Sequence, residues 1–294
     1  MNREIAGPFG TAKFVMTLPT TLLTEMYWEK CGVDISPHFG GISQIELFEC
    51  NVTGYRFWRP DTVAGNETFY REMSVAWAHY YRDWRWEYGP MLPLLSDTDR
   101  LLEVGCGRGY FLRNTESRVA SALGLEFNRE AIATKVTSHE MRAITVEELA
   151  RAEGESFDVV CSFQVLEHVI NPAAFIKGCM DCLKPGGILA FSTPNHKHVP
   201  HAKRQDAFDL PPHHMGHFSR NVYKRLADIY GLGLESIYEQ PRYSETEDAT
   251  KIRRRGRLLQ MSISAIKGML NVPHRIIYGP GHTMLVVFRK PLKR

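Results

Sequence analysis

The sequence predicts an α/β protein. A mostly parallel sheet with helices on both faces follows an aromatic-rich extension, and a helical insertion lies near the C-terminal end. Three observations carry this. From Arg100 onward, short apolar runs alternate with amphipathic stretches. The first of those runs leads directly into a glycine-rich turn. Before it, residues 66–90 (NETFYREMSVAWAHYYRDWRWEYGP) repeat large apolar side chains at three- and four-residue spacing.

The elements follow in order. Residues 1–65 lack sustained periodicity and hold short apolar runs such as IELFEC and YRFW, split by Gly and Pro. The aromatic stretch reads as one helix through Phe69, Met73, Ala76, Trp77, Tyr80, Tyr81 and Trp84, stopping near Gly89-Pro90. Trp84, Arg85 and Trp86 are consecutive, so they cannot all face one core. RLLEVGC is a strand, GRGYF opens a helix, ASALGLEF is a strand and NREAIATKVTSH a helix. RAITV is a short strand, and FDVVCSFQV is a buried strand by its continuous apolar run. NPAAFIKGCMDCL is a helix with Asn171 at its N-cap and Pro172 at its first position. Lys184-Pro185-Gly186-Gly187 ends it and GILAFST is a strand. SRNVYKRLADIYG is a helix closed by Gly231, and LESIYEQ and HTMLVVFRK are the last two strands. The organisation expected is an extension over 1–90 and a core domain over 91–294, interrupted at 242–281 by a basic amphipathic segment.

The totals set bounds. With 294 residues and 44% apolar side chains, the chain can bury a large core. A net charge of +3 and a pI near 8.5 disfavour a nucleic-acid partner without forbidding one. No apolar run is long enough for a membrane helix, and the N-terminal stretch makes a poor signal peptide. The six cysteines are scattered rather than arranged as a disulfide framework, so a reducing, cytoplasmic setting is expected.

The strongest motif is Leu101-Leu102-Glu103-Val104-Gly105-Cys106-Gly107-Arg108-Gly109. A buried strand runs into glycines that let the backbone approach a ligand, and the next helix points its N-terminus there. The spacing is G-x-G-x-G; a dinucleotide fingerprint would be G-x-G-x-x-G, which disfavours an NAD dehydrogenase. Glu126, about twenty residues on, ends the second strand, where a carboxylate can accept from both hydroxyls of a ribose. Residues 100–240 resemble class I S-adenosylmethionine (SAM)-dependent methyltransferases in LLEVGCGRGYFL, FDVVCSFQVLEHVINP and LKPGGILAFSTPN. The resemblance implies a Rossmann-like sheet and SAM as cofactor. It implies that Gly105, Cys106 and Gly107 line the methionine part, with Glu103 suited to its ammonium. Glu126 and Phe127 would hold ribose and adenine, and Phe163 and Gln164 would sit near the sulfonium. Where many relatives carry Asp for the adenine amine, this chain has Thr145, so the backbone near Val146 is expected to read the adenine.

For the acceptor, the sequence offers histidines. His168, His196, His198, His201, His213, His214 and His217 fall in the loops after the fourth and fifth core strands, where open α/β sheets bind ligands. A single histidine there is usually a loop or capping residue; the cluster points to function. One reading makes His168, His213 or His214 the general base for a hydroxyl. The other puts a divalent metal on Glu167, His168 and His213. Gln164-Val165-Leu166-Glu167-His168 resembles the E-x-x-E-H stretch of ubiquinone-biosynthesis O-methyltransferases and small-RNA 2′-O-methyltransferases. Gln164 in place of the first acid removes an anionic ligand, so the metal is not favoured.

At the N-terminus, Trp28-Glu29-Lys30-Cys31-Gly32 and Cys50-Asn51-Val52-Thr53-Gly54 resemble the two knuckles with which related sugar C- and O-methyltransferases open, each short of one cysteine. A metal-free relic and a chance similarity both remain open. Cys179 and Cys182 fall on a helix, where packing explains them. The aromatic helix is expected to dock on the core and to roof the acceptor site. Lys251–Arg257 (KIRRRGR) is a solvated charge run first, and a contact for phosphate or an anionic membrane second. The function expected is O-methylation of a sugar, glycoconjugate or other small metabolite hydroxyl. The rivals are an RNA 2′-O-methyltransferase with a Glu/His metal site and a non-catalytic SAM-binding partner protein.

Overall fold

The computed structural model describes residues 3–76, 82–196, 206–240 and 282–293. The extension is an antiparallel sheet. β1 (Glu4–Gly7), β2 (Gly10–Pro19), β3 (Gln44–Cys50) and β4 (Arg56–Arg59) lie side by side in that order, with α1 (Thr20–Cys31) between β2 and β3. β3 and β4 are the apolar runs legible in the sequence; β1, β2 and α1 gave no periodic signal. One face packs on α1 and on α2 (Glu67–Ala76), gathering Leu23, Tyr27, Ile45, Trp58, Phe69 and Met73 into a buried cluster.

The long aromatic helix is shorter than its spacing predicts. α2 is described as far as Ala76; Trp77, Tyr80 and Tyr81 lie outside the described residues. Residues 82–87 are not helical. Gly89-Pro90 is not a helix stop but part of α3 (Tyr88–Met91), whose first turn needs no N–H from Pro90.

The core elements follow: β5 (Arg100–Val104), α4 (Tyr110–Thr115), β6 (Ser121–Leu125), α5 (Arg129–Ala133), β7 (Glu140–Arg142), α6 (Val146–Glu153), β8 (Phe157–Phe163), α7 (Pro172–Cys182) and β9 (Leu183–Pro194). After these come β10 (Gly216–His217), α8 (Arg220–Tyr230), β11 (Gly233–Glu239) and β12 (Thr283–Arg289). Seven strands form one sheet in the order β11-β12-β9-β8-β5-β6-β7, parallel from β9 to β7 and antiparallel at β12 and β11.

Period-two alternation sorts the side chains. Leu102, Val104, Leu123, Val160, Leu189 and Val286 face the side covered by α6, α7 and α8. Leu101, Ala122, Val159, Cys161, Ala190 and Leu285 face the side covered by α3 and α4. Both faces are buried, as expected of parallel strands. Asn171 caps α7 by accepting from Ala174 N, and Gly231 ends α8.

The third core strand departs from expectation. RAITV does not form it; β7 is Glu140–Arg142, and Thr145 caps α6 instead. Thr145 Oγ1 accepts from Glu148 N while the Glu148 carboxylate accepts from Thr145 N, a reciprocal cap that removes 145 from the strand. α5 is likewise only five residues long, capped by Asn128.

β10 does not join the core sheet. It pairs antiparallel with β4, Gly216 against Phe57, as the fifth strand of the N-terminal sheet. Neither knuckle-like segment holds a metal-capable group among the described residues. Cys31 sits in the last turn of α1 and Cys50 at the end of β3, each bonded to a carbonyl close by. Cys179 and Cys182 are buried in the core on α7, and every cysteine is a free thiol. The insertion 242–281 with its KIRRRGR run, and His198 and His201, lie outside the described residues. No helix among those described is long and apolar enough to cross a membrane.

Candidate active site

The strand order reverses beside β5, which has β6 on one side and β8 on the other, and a cleft opens there at the carboxyl ends of the strands. Its volume is about 950 Å³. The sequence-predicted cofactor residues all line it: Glu103, Gly105, Cys106, Gly107, Glu126, Phe127, Val146, Phe163 and Gln164. So do His168, His213, His214 and Glu167.

The glycine turn is built by its backbone. Gly105 has φ 76°, and a Cβ there would run into the Val165 side chain. Gly105 N and Cys106 N both donate to Leu125 O, tying the turn to the end of β6. Glu126 follows at once. Its Oε2 accepts from Gly107 N and its Oε1 from Asn128 N, each at 2.8 Å. Burial raises its carboxyl above the ordinary range, and these N–H groups oppose the rise. Phe127 is 64% exposed, its ring open at the cleft mouth.

Glu103 is different. It is 3% exposed, burial pushes its carboxyl well up, and Arg85 opposes that. Its Oε2 has no hydrogen-bond partner among the described residues. Phe163 packs edge-on against Phe111 and Tyr88. Gln164 holds φ 55°, uncommon for a residue with a side chain, and donates from Nε2 to Glu87 Oε1 and Ser192 Oγ.

The other end of the cleft is histidine and acid. Glu167 and His168 lie in the turn after β8; His213 and His214 come from the loop before β10. Three imidazoles are each anchored through Nδ1. His168 Nδ1–H donates to His213 O at 2.6 Å, His213 Nδ1–H to Phe208 O at 3.1 Å, and His214 Nδ1–H to Asp209 Oδ1 at 3.1 Å. Carbonyls and carboxylates only accept, so these partners assign a proton to each Nδ1. Burial holds His168 down at about 3 and His213 well below the ordinary value, so both are neutral.

Glu167 sits 1% exposed among them, with Oε1 3.9 Å from His168 Nε2 and 4.0 Å from His214 Nε2. Neither of its oxygens has a hydrogen-bond partner among the described residues, and burial raises it to about 7. Tyr70, from α2, lies 3.3 Å from His168 Nδ1, so this helix does reach the cleft. Among the described residues, two groups of side chains could hold a metal ion: His168, His213 and His214, and, behind them, His196, Asp209 and His217.

The extension holds this histidine loop in place. Tyr27 Oη donates to Leu210 O (3.0 Å), Gly65 N to Pro212 O (2.8 Å) and Trp58 N to Met215 O (3.0 Å). Lys30 pairs with Asp206, and Met215 N donates to Glu167 O, joining the two loops. Sequence reasoning missed Arg85, Glu87 and Asp209. Arg85 and Glu87 were hidden inside a stretch read as one helix. An acid four residues before a His-His pair was the available signal for Asp209.

A profile of the family described as a methyltransferase domain matches residues 76–237. Over 162 residues the chain is 30% identical to a ubiquinone biosynthesis O-methyltransferase of Acinetobacter baumannii, covering 47% of this chain and 68% of that protein. A protein of the same description from Hahella chejuensis is 40% identical over 103 residues, 33% of this chain and 43% of its own. A chain in the complex of the Haloferax volcanii Trm112 methyltransferase activator with a methyltransferase superposes with a TM-score of 0.53 at 15% identity, over 76% of this chain and 96% of that one. That likeness concerns the fold alone. The profile match runs from the end of α2 into β11, across every parallel strand of the sheet, and on that ground the chain belongs to the methyltransferase-domain family, as a SAM-dependent enzyme of class I, Rossmann-like fold.

Proposed function

We propose that the protein O-methylates a small hydroxylated acceptor. The observation that carries this is the union, in one cleft, of a cofactor end and an end rich in proton acceptors. The cofactor end fits SAM. The unpartnered, buried Oε2 of Glu103 suits an ammonium, and Arg85, also lining the cleft, suits the carboxylate beside it. Glu126, fixed by two backbone N–H groups, keeps lone pairs for ribose hydroxyls, and Phe127 offers a flat face to adenine. Bound there, SAM supplies an electrophilic methyl group.

The chain's own residues do the rest. Phe163, Tyr88 and Trp86 wall the cleft with apolar surface, which excludes water and aligns the reactants. His214 Nε2 takes the proton from the acceptor hydroxyl, so the oxygen attacks with its lone pair uncovered. Glu167 lies beside the imidazolium that results and offsets its charge. His168 stays neutral and accepts a hydrogen bond through Nε2.

Two acceptor classes fit a cluster of hydrogen-bond acceptors. The sequence reading favours a sugar or glycoconjugate hydroxyl; the name of the curated relatives favours a phenolic ring. The test is calorimetry with SAM and S-adenosylhomocysteine, followed by a panel of glycosides, nucleotide sugars and catechols, each run in EDTA and in Mg²⁺ or Mn²⁺. Turnover of a hydroxyl acceptor supports the reading, and the class that turns over decides between sugar and phenol. Tight S-adenosylhomocysteine binding with methylation only of nitrogen or carbon acceptors overturns it.

A further inference from the structure

Behind the acceptor end lies a second layer that does not line the cleft: Asp209 with His196 and His217. The His196 and His217 rings stack at 4.1 Å with their planes 6° apart. Imidazole lone pairs lie in the ring plane, so two parallel rings do not aim theirs at a common point, and this layer is poorly shaped to grip an ion. Its geometry fits a different task.

We propose that Asp209 is a positioning residue for methyl transfer, fixing the tautomer and ring orientation of His214 so that Nε2 presents its lone pair to the acceptor hydroxyl. This rests on the O-methyltransferase reading above. Asp209 Oδ1 lies 3.1 Å from His214 Nδ1, on the side of the ring away from Glu167. A carboxylate accepts only, so the Nδ1 proton is held and Nε2 stays free; the proton leaving the hydroxyl then goes to Nε2 as the methyl goes to oxygen.

Asp209 is itself fastened. Its backbone O accepts from His217 Nε2–H at 2.9 Å, and His196 Nδ1 lies 3.7 Å from Oδ2. The next residue's carbonyl, Leu210 O, accepts from Tyr27 of the extension. Burial alone would raise the Asp209 carboxyl; the neighbouring His217 and the hydrogen bond from His214 hold it below the ordinary range, which keeps it an acceptor. The titratable groups facing His214 are Asp209 behind it, Glu167 and His168 across the cleft, and His213 stacked at 4.7 Å.

The deciding measurement is the ¹⁵N NMR tautomer of His214 in the full-length protein with S-adenosylhomocysteine bound. The wild type should show protonated Nδ1 and unprotonated Nε2. In Asp209→Asn the carboxamide can donate to Nδ1, and the tautomer should switch to Nε2–H while S-adenosylhomocysteine affinity stays within about twofold. With the acceptor from the panel, kcat should fall about 100-fold or more with KM nearly unchanged. Asp209→Glu, which keeps the carboxylate, should restore the Nδ1–H form at least in part. An Nε2–H tautomer in the wild type overturns the proposal, and that spectrum needs no variant to fold. So does a folded Asp209→Asn that keeps the wild-type tautomer, or that switches it with kcat intact. Loss of S-adenosylhomocysteine binding in the wild type would instead strike the methyltransferase reading, so the two failures are distinguishable.

Discussion

At one end of the cleft each carboxylate oxygen of Glu126 accepts from a backbone N–H; at the other Glu167 is more deeply buried, and neither of its oxygens has a partner among the described residues. The first acid belongs to a site that forms with the sheet: the strand, the turn and the cap of α5 supply its partners. The second waits in a pocket assembled from two loops far apart in sequence, with His168 at 3.9 Å and His214 at 4.0 Å. The proposed cofactor end is held by backbone groups; the proposed acceptor end is built from side chains on loops.

That contrast can be broken in four places. The largest effect is expected at the loop end. His214→Ala should lower kcat about 10²- to 10⁴-fold, the range of a general base, with S-adenosylhomocysteine affinity unchanged in calorimetry. Retained turnover would move the base elsewhere in the cluster.

At the backbone end, Glu126→Ala should weaken S-adenosylhomocysteine binding about 100-fold, since two hydrogen bonds to a charged acceptor at about 1.5 kcal/mol each are lost. Tight binding in the variant would remove the ribose assignment.

The third test is stability against pH in EDTA. Glu167 stands at about 7 when folded, above its ordinary 4.5, so the folded chain keeps a proton the unfolded chain releases. The stability this contributes is full below pH 4.5 and is lost as pH rises through 7. The shift corresponds to about 3 kcal/mol. Glu167→Gln should therefore gain on the wild type by up to about that amount between pH 5 and pH 8 in urea unfolding. His168 has the opposite sign. Its value of about 3 lies below the ordinary 6.5, so its contribution is full above pH 6.5 and fades as pH falls toward 3. A pH-independent gap between Glu167→Gln and wild type would mean that Glu167 is charged when folded.

The smallest effect is expected at the roof. Tyr70→Phe removes one hydroxyl 3.3 Å from His168 Nδ1, whose stronger partner is His213 O. A fewfold fall in kcat/KM is expected, about 1 kcal/mol at most.

The same contrast governs what the sequence disclosed. Leu101–Gly109, Glu126 and the caps Asn171 and Gly231 were legible because their jobs are local: a turn, a strand end and helix termini read from neighbours a few residues away. β7 was misplaced because Thr145 and Glu148 close a capping box, a side-chain preference that outweighs the apolar run RAITV. That residues 82–87 are not helical was invisible because the aromatic spacing runs on through Trp84. The histidines were found as a group, but which faces which was not. Asp209 meets His214 only because the chain turns between them, and the loop is held from outside by β4, Tyr27 and Gly65.

β10 has a consequence for the order of assembly. The ribosome delivers β1 to β4 early, yet the edge of β4 is covered only when Gly216 and His217 emerge, after most of the core sheet has been made. Until then the nascent extension carries an uncapped strand edge, open to pairing with other chains. Closing that edge is the same event that seats the loop bearing His213 and His214, so a shortened chain ending before β10 would lack both the seal and the acceptor end of the cleft. Completion of the N-terminal sheet and placement of the histidine loop therefore both depend on the segment through His217.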